Sequence, residues 1–145
     1  EVWAAIESLY DAAKTKMIGV SNVSAEQLTL LCMRVKHKPM VVQNRCYAAF
    51  GWDKEVREIC RANQIIYQGF SLLTANREVF ADPAIRTMAA KYQTGPAQIV
   101  FRFSQQIGML PLTGTTNSKH MAEDLQCERF TLSPDELTMI ETIGQ

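Results

Sequence analysis

The sequence predicts an α/β fold with a parallel sheet, and its strand–helix units match half of an eight-stranded (β/α)8 barrel. Four short apolar runs alternate with helical patterns along the chain. The runs are mostly apolar throughout, which is typical of parallel strands covered on both faces. Because strands joined by helical crossovers lie parallel, four consecutive units indicate half of such a barrel.

The composition predicts a single globular domain over residues 1–145. The chain has 15 Lys plus Arg, 15 Asp plus Glu and a hydrophobic fraction of 47%. A formal net charge of zero gives no long-range attraction to nucleic acid or to an acidic membrane surface. Since no apolar run approaches the roughly 18 residues of a membrane span, we expect neither nucleic acid nor a membrane as a partner.

The N-terminal part predicts a helix, a strand, a helix, a strand and a helix in that order. Residues 17–20 and 40–42 are the apolar runs expected as strands. Between them, Ser24 is an expected N-cap with Gln27 three residues later, the spacing of a capping box. A third helix is expected over residues 54–62. The apolar stripes of the three helices are Val2, Trp3, Ile6, Leu9 and Tyr10, then Leu28, Leu31 and Cys32, then Val56, Ile59 and Cys60.

The C-terminal part continues the alternation, with strands expected over residues 65–70 and 109–112. The long connection between them carries Asp82 before Pro83, a helix-start signal, and is interpreted as a loop plus an extra helix. Thr94 is expected to cap the helix that follows. Two further helices are expected, from Asn117 to about Leu125 and from Ser133 with Pro134 and Glu136 in its first turn, and the buried positions of this part are Ile85, Met88, Ala89, Ile99, Val100 and Phe103.

Two observations indicate a piece of a longer protein. The sequence opens at Glu1 inside a helical pattern, and the strands near Met17 and Met109 would each keep an unpaired edge. We expect a missing N-terminal half or a second copy of the chain to close these edges. A processed or proteolysed chain, a deliberate truncation and a split gene all remain open, as does a short N-terminal helix in a complete small protein.

The cysteines predict reduced thiols in the cytoplasm. No two of them have C-x-x-C spacing and no His lies at a ligand spacing from them, so no metal site is expected. No secretory signal opens the sequence, which is consistent with a reducing compartment. The four residues are Cys32, Cys46, Cys60 and Cys127.

Neutral polar and aromatic residues follow the predicted strands, at the end where parallel α/β sheets bind ligands. Amide and hydroxyl groups form hydrogen bonds but do not usually transfer protons near neutral pH. The set therefore suits an amide-bearing, ring-shaped ligand with phosphates, although each residue taken singly is an ordinary turn or cap residue. Backbone N–H groups of Gly114, Thr115 and Thr116 could hold a phosphate. The other members are Ser21, Asn22, Gln43, Asn44, Phe70, Ser71, Thr113 and Asn117.

Four segments carry a resemblance to a known family. Residues 18–22 read IGVSN, residues 39–44 read PMVVQN, residues 65–73 read IIYQGFSLL, and residues 95–125 read GPAQIVFRFSQQIGMLPLTGTTNSKHMAEDL. In this order and spacing they resemble the aldo-keto reductases over nearly the whole chain. The resemblance implies the second half of a (β/α)8 TIM barrel that transfers hydride between a nicotinamide cofactor and a carbonyl or alcohol.

The resemblance also implies a nicotinamide site at the ends of the first three strands. The carboxamide would be held by Ser21, Asn22 and Gln43, whose side chains supply both donors and acceptors. The Phe70 ring stands where the family usually has a Tyr, and it would stack on the nicotinamide. The pyrophosphate would lie near Ser71 and Leu73.

The C-terminal loop departs from the family pattern where the adenosine end would bind. Gly114 and Thr115 replace a Lys-Ser pair, and His120 occupies the position of an Arg. Glu123 and Asp124 stand where Gln and Asn are common. Since a 2′-phosphate needs charge-assisted hydrogen bonds, we expect NADPH or NADH with the NADPH preference in doubt. The remaining members of this group are Thr116 and Lys119, the one full cation.

No catalytic residue is assigned, because the family's Asp, Tyr, Lys and His all precede the region that this chain resembles. His37 is expected on the surface, and Tyr47 could border a substrate cleft but would be a poor proton donor alone. The leading interpretation is the cofactor-binding half of an NAD(P)H-dependent reductase of small carbonyl compounds, inactive by itself. The alternatives are a non-catalytic nucleotide-binding or protein-interaction module, of which a half-barrel dimer is one version, and an unrelated barrel half with a generic phosphate site.

Overall fold

The computed structural model describes residues 1–144, where strands and helices alternate as predicted. Within this range four parallel strands form one sheet in the order β1-β2-β3-β4, so that β1 and β4 are its edges. Sequential strands are neighbours, as in the wall of a barrel. The strands are β1 (Gly19–Ser21), β2 (Val41–Arg45), β3 (Ile66–Phe70) and β4 (Met109–Pro111).

Helices connect the strands and cover one face of the sheet. In the described part of the chain they are α1 (Val2–Asp11), α2 (Ala25–Arg34), α3 (Lys54–Ala62), α4 (Arg77–Ala81), α5 (Pro83–Lys91), α6 (Pro96–Gln106), α7 (Ser118–Asp124) and α8 (Pro134–Thr142). Two 3-10 turns, Ala48–Asp53 and Cys127–Arg129, complete the connections.

Side-chain caps start several helices where the sequence indicates them. Ser24 and Ser133 each form the predicted capping box, and Asp82 accepts a hydrogen bond from the backbone N–H of Ala84 at the start of α5. Asn117 caps α7 by accepting from two backbone N–H groups of its first turn. These caps satisfy backbone donors that a helix start leaves unpaired.

Some predicted bounds are wrong. β2 continues to Arg45, so Gln43 and Asn44 lie inside the strand: β1 and β3 both pair with Gln43, and β3 alone pairs with Asn44 and Arg45. The helix after residue 94 begins with Gly95 as N-cap, not Thr94; the proline that follows has a φ preset for the first helical position. The long connection forms two helices, α4 and α5, instead of one.

The sheet has a helix side, which is covered, and an open side. Side chains alternate along a strand, and on the helix side Val42, Tyr67 and Met109 join the buried core. On the open side Ile66 is 45% and Leu110 50% exposed. The expectation that both faces of these strands are covered is therefore wrong for the residues described.

The core on the helix side is centred on aromatic packing. Trp52 is fully buried, and its ring centroid lies 5.0 Å from that of Phe103 on α6. The indole N–H donates to the carbonyl of Ile140 on α8 at 3.1 Å. This contact ties the C-terminal helix to the turn that follows β2.

A buried amide joins the two loops that leave β2 and β3. Asn76 is fully buried, and its Nδ2 donates to the carbonyls of Cys46 at 3.0 Å and Leu72 at 2.8 Å. Its Oδ1 accepts from the backbone N–H of Ala48 at 2.6 Å. The loops at the carboxyl ends of these strands are thus held in one arrangement.

His37 lies at the surface, as expected, with its side chain 26% exposed, and there it anchors the first helix. Its Nε2 lies 2.8 Å from Oδ1 of Asp11, and its ring packs edge-on against Tyr10 at 5.0 Å. Trp3 donates to the His37 carbonyl at 3.1 Å. These contacts hold α1 against the segment before β2.

Three further findings concern the classes of site considered above. Across residues 1–144, no helix has the length and hydrophobicity that a membrane crossing requires. In the same range, no group of three or more His, Cys, Asp or Glu side chains is placed to hold a metal ion. The four cysteines are free thiols, and burial raises the pKa of both Cys46 and Cys60 to about 12.

Candidate functional site

Strand register brings three polar side chains into one row on the open side. Ser21 pairs with Gln43, and Gln43 pairs with Gln68. The Ser21 hydroxyl donates to the backbone carbonyl of Gln43 at 2.7 Å. The side-chain Nε2 of Gln43 donates to Gln68 Oε1 at 2.9 Å. Gln68, which the sequence reasoning did not select, thereby orients the predicted Gln43.

Two turns in the left-handed region follow the strand ends. Asn22, directly after β1, has φ 54°, and Ser71, directly after β3, has φ 59°. A residue other than glycine held in this region stores about 1–3 kcal/mol of strain. Of the seven described non-glycine residues with positive φ, these two coincide with predicted ligand-binding positions.

Arg45 is the residue that sequence reasoning missed. Its Nε donates to the Ser71 hydroxyl at 3.3 Å and its Nη1 to the Tyr47 hydroxyl at 3.4 Å, while the guanidinium carbon lies 5.7 Å from the centroid of the Phe70 ring. Arg45 comes two residues after Gln43 on the same face of β2, but the predicted strand ended at residue 42, so alternation along it did not reach Arg45. We call this group the strand-end rim; it consists of Ser21, Asn22, Gln43, Arg45, Phe70 and Ser71.

Asn44 belongs to a different environment. It is buried on the helix side, where its Nδ2 donates to Asp53 Oδ2 and to the carbonyl of Val23, both at 2.8 Å. Asp53 Oδ2 also accepts from the Tyr67 hydroxyl at 2.7 Å, and burial raises the pKa of Tyr67. This network is closed by its own hydrogen bonds, so Asn44 is not part of the strand-end rim.

The spare hydrogen-bonding groups of the strand-end rim fit a primary carboxamide. Among the described residues, Gln43 Oε1 accepts no hydrogen bond and Asn22 Nδ2 donates none. A carboxamide needs one acceptor for its NH₂ and one donor for its carbonyl. The side chains present therefore suit the nicotinamide carboxamide, and the half-buried Phe70 ring lies at the end of the neighbouring strand β3, in register with Arg45.

A second group of predicted residues lines one cavity of about 370 Å³, which we call the α7 cavity. Asp124 Oδ1 accepts from Gln98 Nε2 on α6 at 2.9 Å, which fixes one side of the opening. The predicted residues that line it are Leu73, Gly114, Thr115, His120, Glu123 and Asp124.

Two predicted residues, Thr116 and Lys119, are not among those that line the α7 cavity. The Lys119 side chain is 79% exposed, and its Nζ lies 3.7 Å from Glu123 Oε1. Among the lining residues that the structure describes there are two carboxylates and one histidine but no Lys or Arg. The cavity is therefore acidic near neutral pH.

Known relatives span the whole chain. The family model described as "Aldo/keto reductase family" matches residues 1–145. Aldo-keto reductase family 1 member C15 of Rattus norvegicus is 29% identical over 157 residues, which cover 100% of this chain and 48% of that protein. The 9,11-endoperoxide prostaglandin H2 reductase of Trypanosoma cruzi (strain CL Brener) is 29% identical over 147 residues, covering 100% and 52%. The chain thus spans about half the length of the curated relatives it matches.

Solved structures give the same result. The crystal structure of Gox0644 in its apo form superimposes with a TM-score of 0.88 at 29% identity, covering 99% of this chain and 52% of that one. A second structure with the same fold is MGS-M4, an aldo-keto reductase enzyme from a Medee basin deep-sea metagenome library. Its TM-score is 0.88 at 22% identity, and the match covers 99% of this chain and 54% of the MGS-M4 chain. The predicted fold class, half of a (β/α)8 barrel, is confirmed. On the match over residues 1–145, the chain belongs to the aldo/keto reductase family.

Proposed function

We propose that residues 1–145 form the C-terminal, cofactor-holding half of an aldo-keto reductase barrel and bind a nicotinamide dinucleotide. The observation that carries this proposal is the pair of spare groups, Gln43 Oε1 and Asn22 Nδ2, at the same strand ends as the Phe70 ring. The carboxamide end would bind at the strand-end rim and the adenosine end in the α7 cavity. Ser71 and Leu73 are two residues apart and connect the two places.

In this proposal the chain binds and orients the cofactor, which itself supplies the hydride chemistry. The strand-end rim offers hydroxyl, amide, aromatic and guanidinium groups, which do not usually exchange protons near neutral pH. We therefore place the acid–base residues that reduce a small carbonyl compound in the other half of the barrel. By itself the chain is expected to be inactive.

We further infer that NADH binds at least as tightly as NADPH. The α7 cavity presents Glu123 and Asp124, whose carboxylates would repel a 2′-phosphate and could accept hydrogen bonds from a ribose diol. Lys119 is directed toward Glu123 rather than into the cavity. Its charge is therefore partly neutralised before any phosphate arrives.

Fluorescence titration of the chain with NADH and with NADPH tests this proposal. The wild type should bind NADH, and Glu123→Gln should raise the NADPH affinity by about three- to tenfold while leaving NADH within twofold, because one repulsive charge is removed. Glu58→Gln, on the exposed face of α3, is the matched control. A folded chain that binds neither nucleotide contradicts the cofactor role.

A second candidate function is a non-catalytic binding module that assembles through the open side. It is favoured by the exposed apolar side chains there, Ile66 at 45% and Leu110 at 50%, and by the edge positions of β1 and β4. In one version, two copies of the chain form a dimer in which the edge strands β1 and β4 of one copy pair with those of the other. Sedimentation equilibrium with intact mass distinguishes these cases, since a stable monomer excludes the dimer.

We place the protein in the cytoplasm. The support is chemical: all four cysteines are free, and the structure keeps Cys46, Cys60 and Cys127 buried. Unpaired thiols are typical of a reducing compartment.

A further inference from the structure

Arg45 carries a charge at the strand-end rim, and the side chains that it contacts among residues 1–144 are neutral. Its guanidinium contacts two neutral hydroxyls, those of Ser71 and Tyr47, and the face of the Phe70 ring. It forms no ion pair with a carboxylate among residues 1–144. A guanidinium has five N–H donors. Two contact the hydroxyls, and the others are available to solvent or to a ligand because Arg45 is exposed.

The surroundings hold this charge at the strand-end rim. Arg45 pairs in register with Phe70, its backbone N–H donates to Asn22 Oδ1 at 3.4 Å, and its side chain lies on the open side of β2. The contacts with the Ser71 and Tyr47 hydroxyls restrict the orientation of the planar guanidinium. A cation that is oriented but has no counter-ion is suited to bidentate recognition of an anionic oxygen group.

We propose that Arg45 recognises a carboxylate on the carbonyl substrate, which makes 2-oxo acids and similar anionic carbonyl compounds the substrate class. The inference rests on the proposed function, because it takes the Phe70 ring as the place where the nicotinamide lies. The guanidinium stands 5.7 Å from the centroid of that ring, so an anion bound to it would lie close to the reacting end of the cofactor.

The cofactor's pyrophosphate is the other anion that could reach Arg45. The Ser71 hydroxyl, 3.3 Å from Arg45 Nε, is itself a predicted neighbour of the pyrophosphate. The two candidate anions, pyrophosphate and substrate carboxylate, predict different effects of removing Arg45 on nucleotide binding. Loss of the arginine weakens nucleotide binding if it holds the pyrophosphate, and leaves it unchanged if it holds the substrate.

The experiment is an NMR titration of the ¹⁵N-labelled chain saturated with NADH, a method that measures millimolar affinities. Oxamate is the anionic probe and oxamide its neutral isostere, and neither is reduced. In the wild type, oxamate should shift the amides of Arg45, Phe70 and Ser71 with a Kd at least about tenfold below that of oxamide, on the scale of a charge-assisted hydrogen-bond pair. NADH affinity is measured separately by fluorescence.

Three variants test whether the preference for oxamate over oxamide depends on the Arg45 side chain. Arg45→Gln should bring the two probes within about twofold, and Arg45→Lys should keep part of the preference because it keeps the charge. Arg34→Gln, at the exposed end of α2, is the matched control and should behave as the wild type. Since Arg45 is exposed, all three variants should retain the fold.

Four outcomes would overturn the inference. The first is no binding of oxamate by the NADH-loaded wild type, and the second is equal wild-type affinity for the two probes. The third is an unchanged preference in Arg45→Gln. The fourth is a loss of NADH affinity in Arg45→Gln, which would assign the arginine to the pyrophosphate. In each of these cases NADH still binds the wild type, whereas absence of NADH binding to the wild type contradicts the proposed function itself.

Discussion

The helix side and the open side of the sheet are built from alternate residues of the same strands, yet they differ in character. Val42 on the helix side is fully buried, whereas Ile66 and Leu110 on the open side are about half exposed. The polar groups differ in the same way. Asp53 accepts hydrogen bonds from both Asn44 and Tyr67. Gln43 and Arg45, by contrast, have hydrogen-bonding groups that no described residue uses. Stability is therefore concentrated on the helix side, and the open side is the face that we propose binds the cofactor.

The largest expected effect compares two neighbouring valines. Val42→Asp would bury an uncompensated carboxylate and should lower the free energy of unfolding by about 3–5 kcal/mol. Val41→Asp places the same group on the open side, where solvent reaches it, and should cost less than about 1 kcal/mol. Urea unfolding followed by circular dichroism measures both. Equal losses would show that the open side is covered in solution, by another copy or by further chain.

A smaller effect is expected for binding at the strand-end rim. Phe70→Ala should weaken NADH binding by about 1–3 kcal/mol, because the aromatic face and its buried area are lost. Fluorescence titration gives the affinity, and the urea midpoint should change little, since Phe70 lies outside the buried core. An unchanged affinity in a chain that binds NADH would show that the ring does not stack on the nicotinamide.

The smallest effect concerns acid stability on the helix side, where Glu136 joins α8 to α5. Its carboxylate accepts from Lys91 at 2.7 Å, from the Tyr92 hydroxyl at 2.6 Å and from the Ser133 N–H at 2.8 Å. Although burial raises the pKa of Glu136, these hydrogen bonds outweigh burial and lower the pKa to about 2.

The sign of the pH dependence follows from that lowered pKa. The folded pKa lies below the unfolded value of about 4.3, so the stabilisation is present above pH 4.3 and is lost as the pH falls toward 2. Glu136→Gln should cost about 1–2 kcal/mol at pH 7 and little at pH 2. Urea midpoints at pH 7, 4 and 2.5 measure the difference. A cost independent of pH would mean that the carboxylate's charge contributes nothing.

Local patterns predict most of the fold but only part of the site. The apolar runs and the caps at Ser24 and Ser133 depend on neighbouring residues, so they can be recognised in a single sequence. The end of β2 cannot, because Gln43 and Arg45 are polar and their strand pairing is long-range: Gln43 pairs with β1 and β3, and Arg45 with β3 alone. Placing the strand end too early hid Arg45.

Long-range partners explain the other differences. Asn44 and Gln43 are adjacent amides with the same appearance in sequence, but one joins a buried network through Asp53 and the other lies on the open side. His37 lies at the surface as expected, but local spacing gives no sign of its partner Asp11, which is 26 residues away in the sequence. Which residues meet across such distances depends on the assembled sheet rather than on local spacing.

The buried Asn76 has a consequence for how fast the backbone exchanges hydrogen with solvent. Its Oδ1 is the acceptor for the Ala48 N–H, and since the contact spans 28 residues and is fully enclosed, no local fraying releases it. The Ala48 amide should therefore exchange its proton for deuterium only when the whole domain opens. A short turn at the carboxyl end of the sheet would thus report the global unfolding rate or equilibrium, while its exposed neighbours Ala49 and Phe50 exchange early.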